Sequence, residues 1–386
     1  MGSETRVGRA IVAAVVTMVL AASCTGGGRS VEPAERVIAP TAASSPTPAA
    51  AAPIDLEPGW QALDPGPLAG RIGHAAVWTG SEVLIWGGRN DDGALDDGAA
   101  FDPATGTWRL LAPTRFAGRA WPVAVWTGQE MVVIGGVGSS DRSLSGAAAY
   151  DPVLDSWREV DLAWSAVSPL SGAVWTGDAV VVVGAVPPPT GDPSADVIAL
   201  DPVEGIVSAL TPYGEPARRA VAVRWDGSSV ITATIDDGAD VVVRSLDPLT
   251  GAVVEETTLD GVSGLDVAHA AVAVDDQFVV VPVHYDTGAI VDAGTASGIP
   301  ASGSVTRWPA SVVGSLISYG DTVFDLATRT WVDTPLPDQS WDREFPIAVS
   351  TGDAVVVWGG DACGRAASCA GLVQPEQTLV WVPSEG

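Results

Sequence analysis

From Leu56 onward, short apolar runs alternate with clusters of turn residues, and the stretch Gly70 to Trp108 shows the unit most clearly. Two apolar runs, His74 to Trp78 and Val83 to Trp86, flank the turn Thr79-Gly80-Ser81, and the second run stops at a Gly87-Gly88 doublet. Paired runs around a short Gly-containing turn predict a β-hairpin. A third run, Gly98 to Phe101, leads into the turn Asp102-Pro103-Ala104-Thr105-Gly106 and a fourth strand beginning near Trp108. In that turn Pro presets one torsion and Gly supplies the positive one. The unit is therefore expected to be four antiparallel strands.

The hairpin turn returns as Trp126-Thr127-Gly128, Trp175-Thr176-Gly177 and Trp225-Asp226-Gly227, then more weakly as Val274-Asp275-Asp276 and Ser350-Thr351-Gly352. A spacing of about 49 residues is that of propeller blades. The sequence thus predicts an all-β, six-bladed β-propeller with four-stranded antiparallel blades. The last interval is longer than the others, and the excess, about 283–320, reads as an insertion in the fifth unit. The sixth unit lacks a fourth strand, whereas Leu56 to Leu63 carries a Pro-Gly turn and Trp60 at the matching position. The N-terminal strand is therefore expected to complete the C-terminal blade and close the ring, which removes open strand edges.

The glycine doublet, the spaced Trp and the R-x-x-H sequence Arg71 to His74 together resemble kelch repeats, over residues 56–383. The resemblance implies a β-propeller and points to no single function, since kelch propellers include binding scaffolds, sugar mutarotases and copper oxidases. The Asp-x-x-x-Gly-x-Trp turn also looks like a sialidase Asp-box, but the preceding Ser of that motif is absent and the doublet is present.

The N-terminus reads differently. Residues 1–23 carry Arg6 and Arg9, then a continuous apolar run from Ala10 to Ala22. That run is too short to span a bilayer and reads as a signal peptide. Leu20 to Cys24 resembles a bacterial lipobox, which implies lipidation at Cys24, although Ala21 stands where the motif usually has Leu. Residues 24–55 are Pro/Ala/Ser-rich and read as a flexible tether with an end-to-end distance of roughly 30 Å. The folded domain is then 56–386. The expected location is the extracytoplasmic face of the membrane, with membrane contact through the lipid anchor only.

Charge narrows the classes of partner. Acidic residues number 47 against 19 basic ones, every one of them Arg, for a net charge of -28. Phosphate backbones repel such a chain, so nucleic acid is excluded as a partner, and without Lys there is no P-loop lysine or Schiff-base nucleophile. Three His and four Tyr are a poor supply for a copper centre. Neither a metal nor another cofactor is expected; His284-Tyr285 is the one unusual pair, and the cluster Asp91, Asp92, Asp96 and Asp97 misses EF-hand spacing. Cys363 and Cys369, close together in an exported chain, are expected to form a disulfide.

Antiparallel order puts all the long connections on one face of the ring and the tight turns on the other, so binding is expected on the long-loop face. Aligning the copies places Arg71, Arg119, Arg218 and Arg343 at the starts of inner strands, where guanidinium groups could clamp a carboxylate or sugar acid. Trp121, Trp164 and Trp341 fall outside the blade pattern beside those Arg residues, suited to stacking on a sugar. The leading expectation is a monomeric binding or scaffold module recognising a protein or carbohydrate ligand. The alternative is a carbohydrate-active enzyme such as a mutarotase, with Glu215 or Glu344 moving the proton.

Overall fold

The second strand of each hairpin decides the packing. Val83–Trp86, Met131–Ile134, Val180–Val183 and Val355–Trp358 are buried at every position. A continuous apolar strand of this kind needs cover on both faces, and neighbouring blades supply it. First strands such as Ala75–Trp78 alternate between buried and half-buried, and fourth strands such as Thr107–Leu110 face outward.

A computed structural model describes residues 52–160, 172–183, 197–210, 219–235, 240–263, 271–274, 277–280, 288–292, 295–299, 310–337, 346–360 and 377–384. Residues 51–386 form one unit. Among the described residues there are seven four-stranded antiparallel sheets. Blades 1 to 6 occupy 75–110, 123–160, 172–209, 219–263, 271–299 and 311–333, and blade 7 joins 347–382 to Gly59–Leu63. The first strand of each blade lies beside the first strand of the next, and that of blade 7 lies beside that of blade 1, so the ring closes.

The chain is a β-propeller with four-stranded antiparallel blades, as the repeat predicts, but it has one blade more than the six expected. The described residues within 283–320 belong to two blades and are not an insertion within one. Gly288–Asp292 and Thr295–Ile299 are the outer strands of blade 5, and Ser311–Val313 and Leu316–Tyr319 open blade 6. Blade 6 escapes the motif because its first hairpin turns through Gly314-Ser315, without the Trp-Thr-Gly turn or the glycine doublet.

Closure follows the expected route. Gly59–Leu63 pairs antiparallel with Thr378–Val382, from Gly59 opposite Val382 to Leu63 opposite Thr378. Trp60 packs against Trp381 with ring centroids 6.4 Å apart. Elsewhere a third-strand aromatic faces a fourth-strand Trp, as Phe101 with Trp108, Tyr150 with Trp157 and Phe324 with Trp331, at 4.9, 5.0 and 5.0 Å. Trp157 also reaches Trp86 of blade 1 at 5.4 Å, and Trp108 reaches Trp358 of blade 7 at 6.0 Å. The repeated Trp residues thus weld one blade to the next. Among the described residues, no helix is long and apolar enough to cross a membrane.

Candidate binding face

The glycine doublet and the Arg of the next repeat form one device. Gly87 and Gly88 have φ of +74° and +95°, and Gly135 and Gly136 of +65° and +92°. A Cβ on Gly88 would lie 2.9 Å from the Ile72 carbonyl oxygen, so only glycine lets the backbones approach. The Gly88 N–H donates to the Arg119 carbonyl of blade 2, and the Gly360 N–H of blade 7 to the Arg71 carbonyl of blade 1. Each Arg side chain then turns back onto its own blade. Arg71 Nη1 donates to Gly87 O at 3.0 Å and Nε to Ala69 O at 2.9 Å; Arg119 repeats these bonds to Gly135 O at 2.7 Å and Ala117 O at 3.0 Å.

Arg71 and Arg119 are therefore buried, at 0% and 2% exposure, and hold backbone carbonyls in place. Arg71 is also ion-paired with Asp97, through Nη1 to Oδ1 at 2.5 Å and Nη2 to Oδ2 at 3.2 Å. Its three nitrogens all face protein acceptors. Arg119 has no carboxylate partner among the described residues, lies 3.5 Å from the centre of the Phe116 ring, and is pushed down to about 10 by burial. Arg218, Arg343, Trp164 and Trp341 lie outside the described residues, as do Cys24, Cys363, Cys369, Glu215, Glu344, His284 and Tyr285.

Trp121 is placed unlike any blade Trp. It sits in the connection between blades 1 and 2 at φ +49°, and remains 38% exposed. A bulky side chain in the left-handed region is strained by on the order of 1–3 kcal/mol, and such strain persists only where surroundings impose it. Here the Trp121 N–H donates to Gly73 O at 2.6 Å, and Gly73 leaves room for the indole, which would meet a Cβ there at 2.8 Å. The Arg89 guanidinium lies over the indole at 5.7 Å and pairs with Asp141 at 2.8 Å. Arg89 belongs to a small hairpin, Arg89–Asn90 with Gly93–Ala94, that is held to blade 2 by the Ala94 N–H donating to Ser139 Oγ.

The long-loop face thus carries an Arg89, Trp121 and Asp141 cluster between blades 1 and 2. The repeat pattern singles out Trp121 alone; Arg89 and Asp141 sit in loops where nothing in the sequence links them to it. On the opposite face, Arg109 donates to both Glu82 carboxylate oxygens at 2.8 and 2.6 Å and to the Tyr150 hydroxyl at 2.9 Å. The Tyr150 hydroxyl in turn donates to Asp155 at 2.6 Å. Burial first, then that hydrogen bond, pushes Tyr150 up to about 12. This cluster joins blade 1 to blade 2 and leaves the phenol protonated. Among the described residues, no group of three or more His, Cys, Asp or Glu is disposed to hold a metal ion. Neither the family models nor the curated proteins contain a match to the chain.

Proposed function

We propose that this propeller is of the kelch type and serves as a binding or scaffold module at the cell surface, recognising a protein or glycan through its long-loop face. The observation that carries the reading is Trp121, kept half exposed in a strained backbone conformation and bracketed by Gly73 and Arg89. Trp and Arg are the residues around which binding energy concentrates at protein interfaces, and Trp also stacks on sugar faces. The propeller fold is compatible with such a role and supplies the rigid support that interface loops need. The signal-like N-terminus and Cys24 support export and lipid anchoring.

The test is a screen of surface proteins and glycans against wild type, Trp121→Ala and Arg89→Ala. Each variant is expected to weaken a retained ligand at least tenfold, the scale of a hot-spot residue. A ligand bound equally well by all three proteins would place recognition elsewhere. Loss of fatty-acid labelling in Cys24→Ala checks the anchor separately.

A further inference from the structure

Blades 1 and 2 build the same Arg site and complete it differently. In both, the Arg Nη1 reaches the first glycine carbonyl of the doublet and, more weakly, a carbonyl at the start of the third strand, Asp97 O at 3.5 Å or Ser145 O at 3.4 Å. In blade 1 the residue that supplies this carbonyl also supplies a carboxylate, which closes on Nη1 and Nη2 of Arg71. In blade 2 the chain passes the same place with Ser145 and Gly146. Arg119 is left buried, without a counter-charge and with no acceptor on Nη2 among the described residues.

The Phe116 ring covers the face of the Arg119 guanidinium, and for the edge that remains a bidentate carboxylate is the partner that matches its geometry. In blade 1 the corresponding edge is the one that Asp97 caps, and the Asp97 side chain is 53% exposed, so a carboxylate seated on that edge reaches solvent. We infer that Arg119 is a binding site for a carboxylate-bearing ligand, whose carboxylate takes the place on Arg119 that Asp97 takes on Arg71. The site opens on the long-loop face, between the Arg119 strand start and the Ser145 end of the blade 2 loop, so a uronic acid or an acidic peptide side chain fits its chemistry. This deepens the binding-face reading and rests on it for its location.

Thermal unfolding midpoints of the full propeller test it, titrated with acetate and with glucuronate against sodium chloride of equal ionic strength and against glucose. Wild type is expected to show a saturable rise with both carboxylates and none with the controls. Arg119→Lys keeps a charge but not the two-pronged geometry, and its apparent Kd should be at least tenfold weaker. Asp97→Ala exposes the matching edge of Arg71 and should add a second carboxylate response, which keeps the test decisive if Arg119→Lys fails to fold. Equal responses to acetate and chloride, an undiminished response in Arg119→Lys, or no gain in Asp97→Ala would each overturn the inference. If Trp121→Ala abolishes no ligand binding while the carboxylate responses hold, the Trp121-centred reading fails and the Arg119 site stands.

Discussion

Replacing His74 by Leu should abolish a pH sensitivity built into the junction of blades 7 and 1. The imidazole is 4% exposed and lies edge-on to Trp358 at 5.1 Å, and among the described residues neither ring nitrogen has a hydrogen-bond partner. Burial first, then the neighbouring Arg71 charge, lowers its pKa from 6.5 to about 3. Between those values the unfolded chain takes up a proton that the folded chain refuses, so stability falls as pH drops below 6.5 and keeps falling until pH nears 3. Each pH unit in that window removes about 1.4 kcal/mol, so about 3 kcal/mol is lost by pH 4.5 relative to pH 7.5. His74→Leu removes this site and leaves the other two His unchanged. Guanidinium denaturation followed by Trp fluorescence should show the variant gaining about 3 kcal/mol on wild type between pH 7.5 and pH 4.5. Parallel pH profiles for the two proteins would mean that the imidazole is hydrated or charged in the folded state, and would refute the reasoning.

Two further changes probe the ring itself. Gly88→Ala meets both a positive φ and a backbone oxygen 2.9 Å away, whereas Gly80→Ala at φ +99° meets nothing within 4 Å. The first should unfold the protein or lower its midpoint far more than the second, whose cost is the backbone term of about 1 kcal/mol; equal losses in thermal melts would contradict the close-approach role of the doublet. Trp60→Ala should cost about 3–5 kcal/mol by opening the seam with Trp381, and deleting residues up to 63 should leave Thr378–Val382 as an open edge and promote association, read by sedimentation. A monomeric deletion variant of unchanged stability would mean that the seam does not hold the ring.

The fold was legible wherever one residue type has one structural job. A Trp-Thr-Gly turn fixes a hairpin locally, and four fully apolar residues need cover on both faces, so the blade pattern and the closing strand followed from local chemistry. Blade 6 was hidden because Ser311–Val313 and Leu316–Tyr319 make the same hairpin with different turn residues. Arg71 and Arg119 come just before the inner strands of blades 1 and 2, but the direction of their side chains is tertiary: Arg71 turns to Gly87 and Asp97, sixteen and twenty-six positions away. Trp121 stood out by breaking the repeat. Its companions Arg89 and Asp141 join it only when blades 1 and 2 are side by side, and their loops carry no periodic signal to announce that.

The central claim is that recognition occurs on the long-loop face. A photo-crosslinking residue placed at Asn90, beside Arg89, or at Val153, 89% exposed in a tight turn on the opposite face, tests it directly in intact cells. The account predicts adducts from position 90 that disappear in the Trp121→Ala background, with none from position 153. Adducts from position 153 alone, or adducts from position 90 that are indifferent to Trp121, would contradict it.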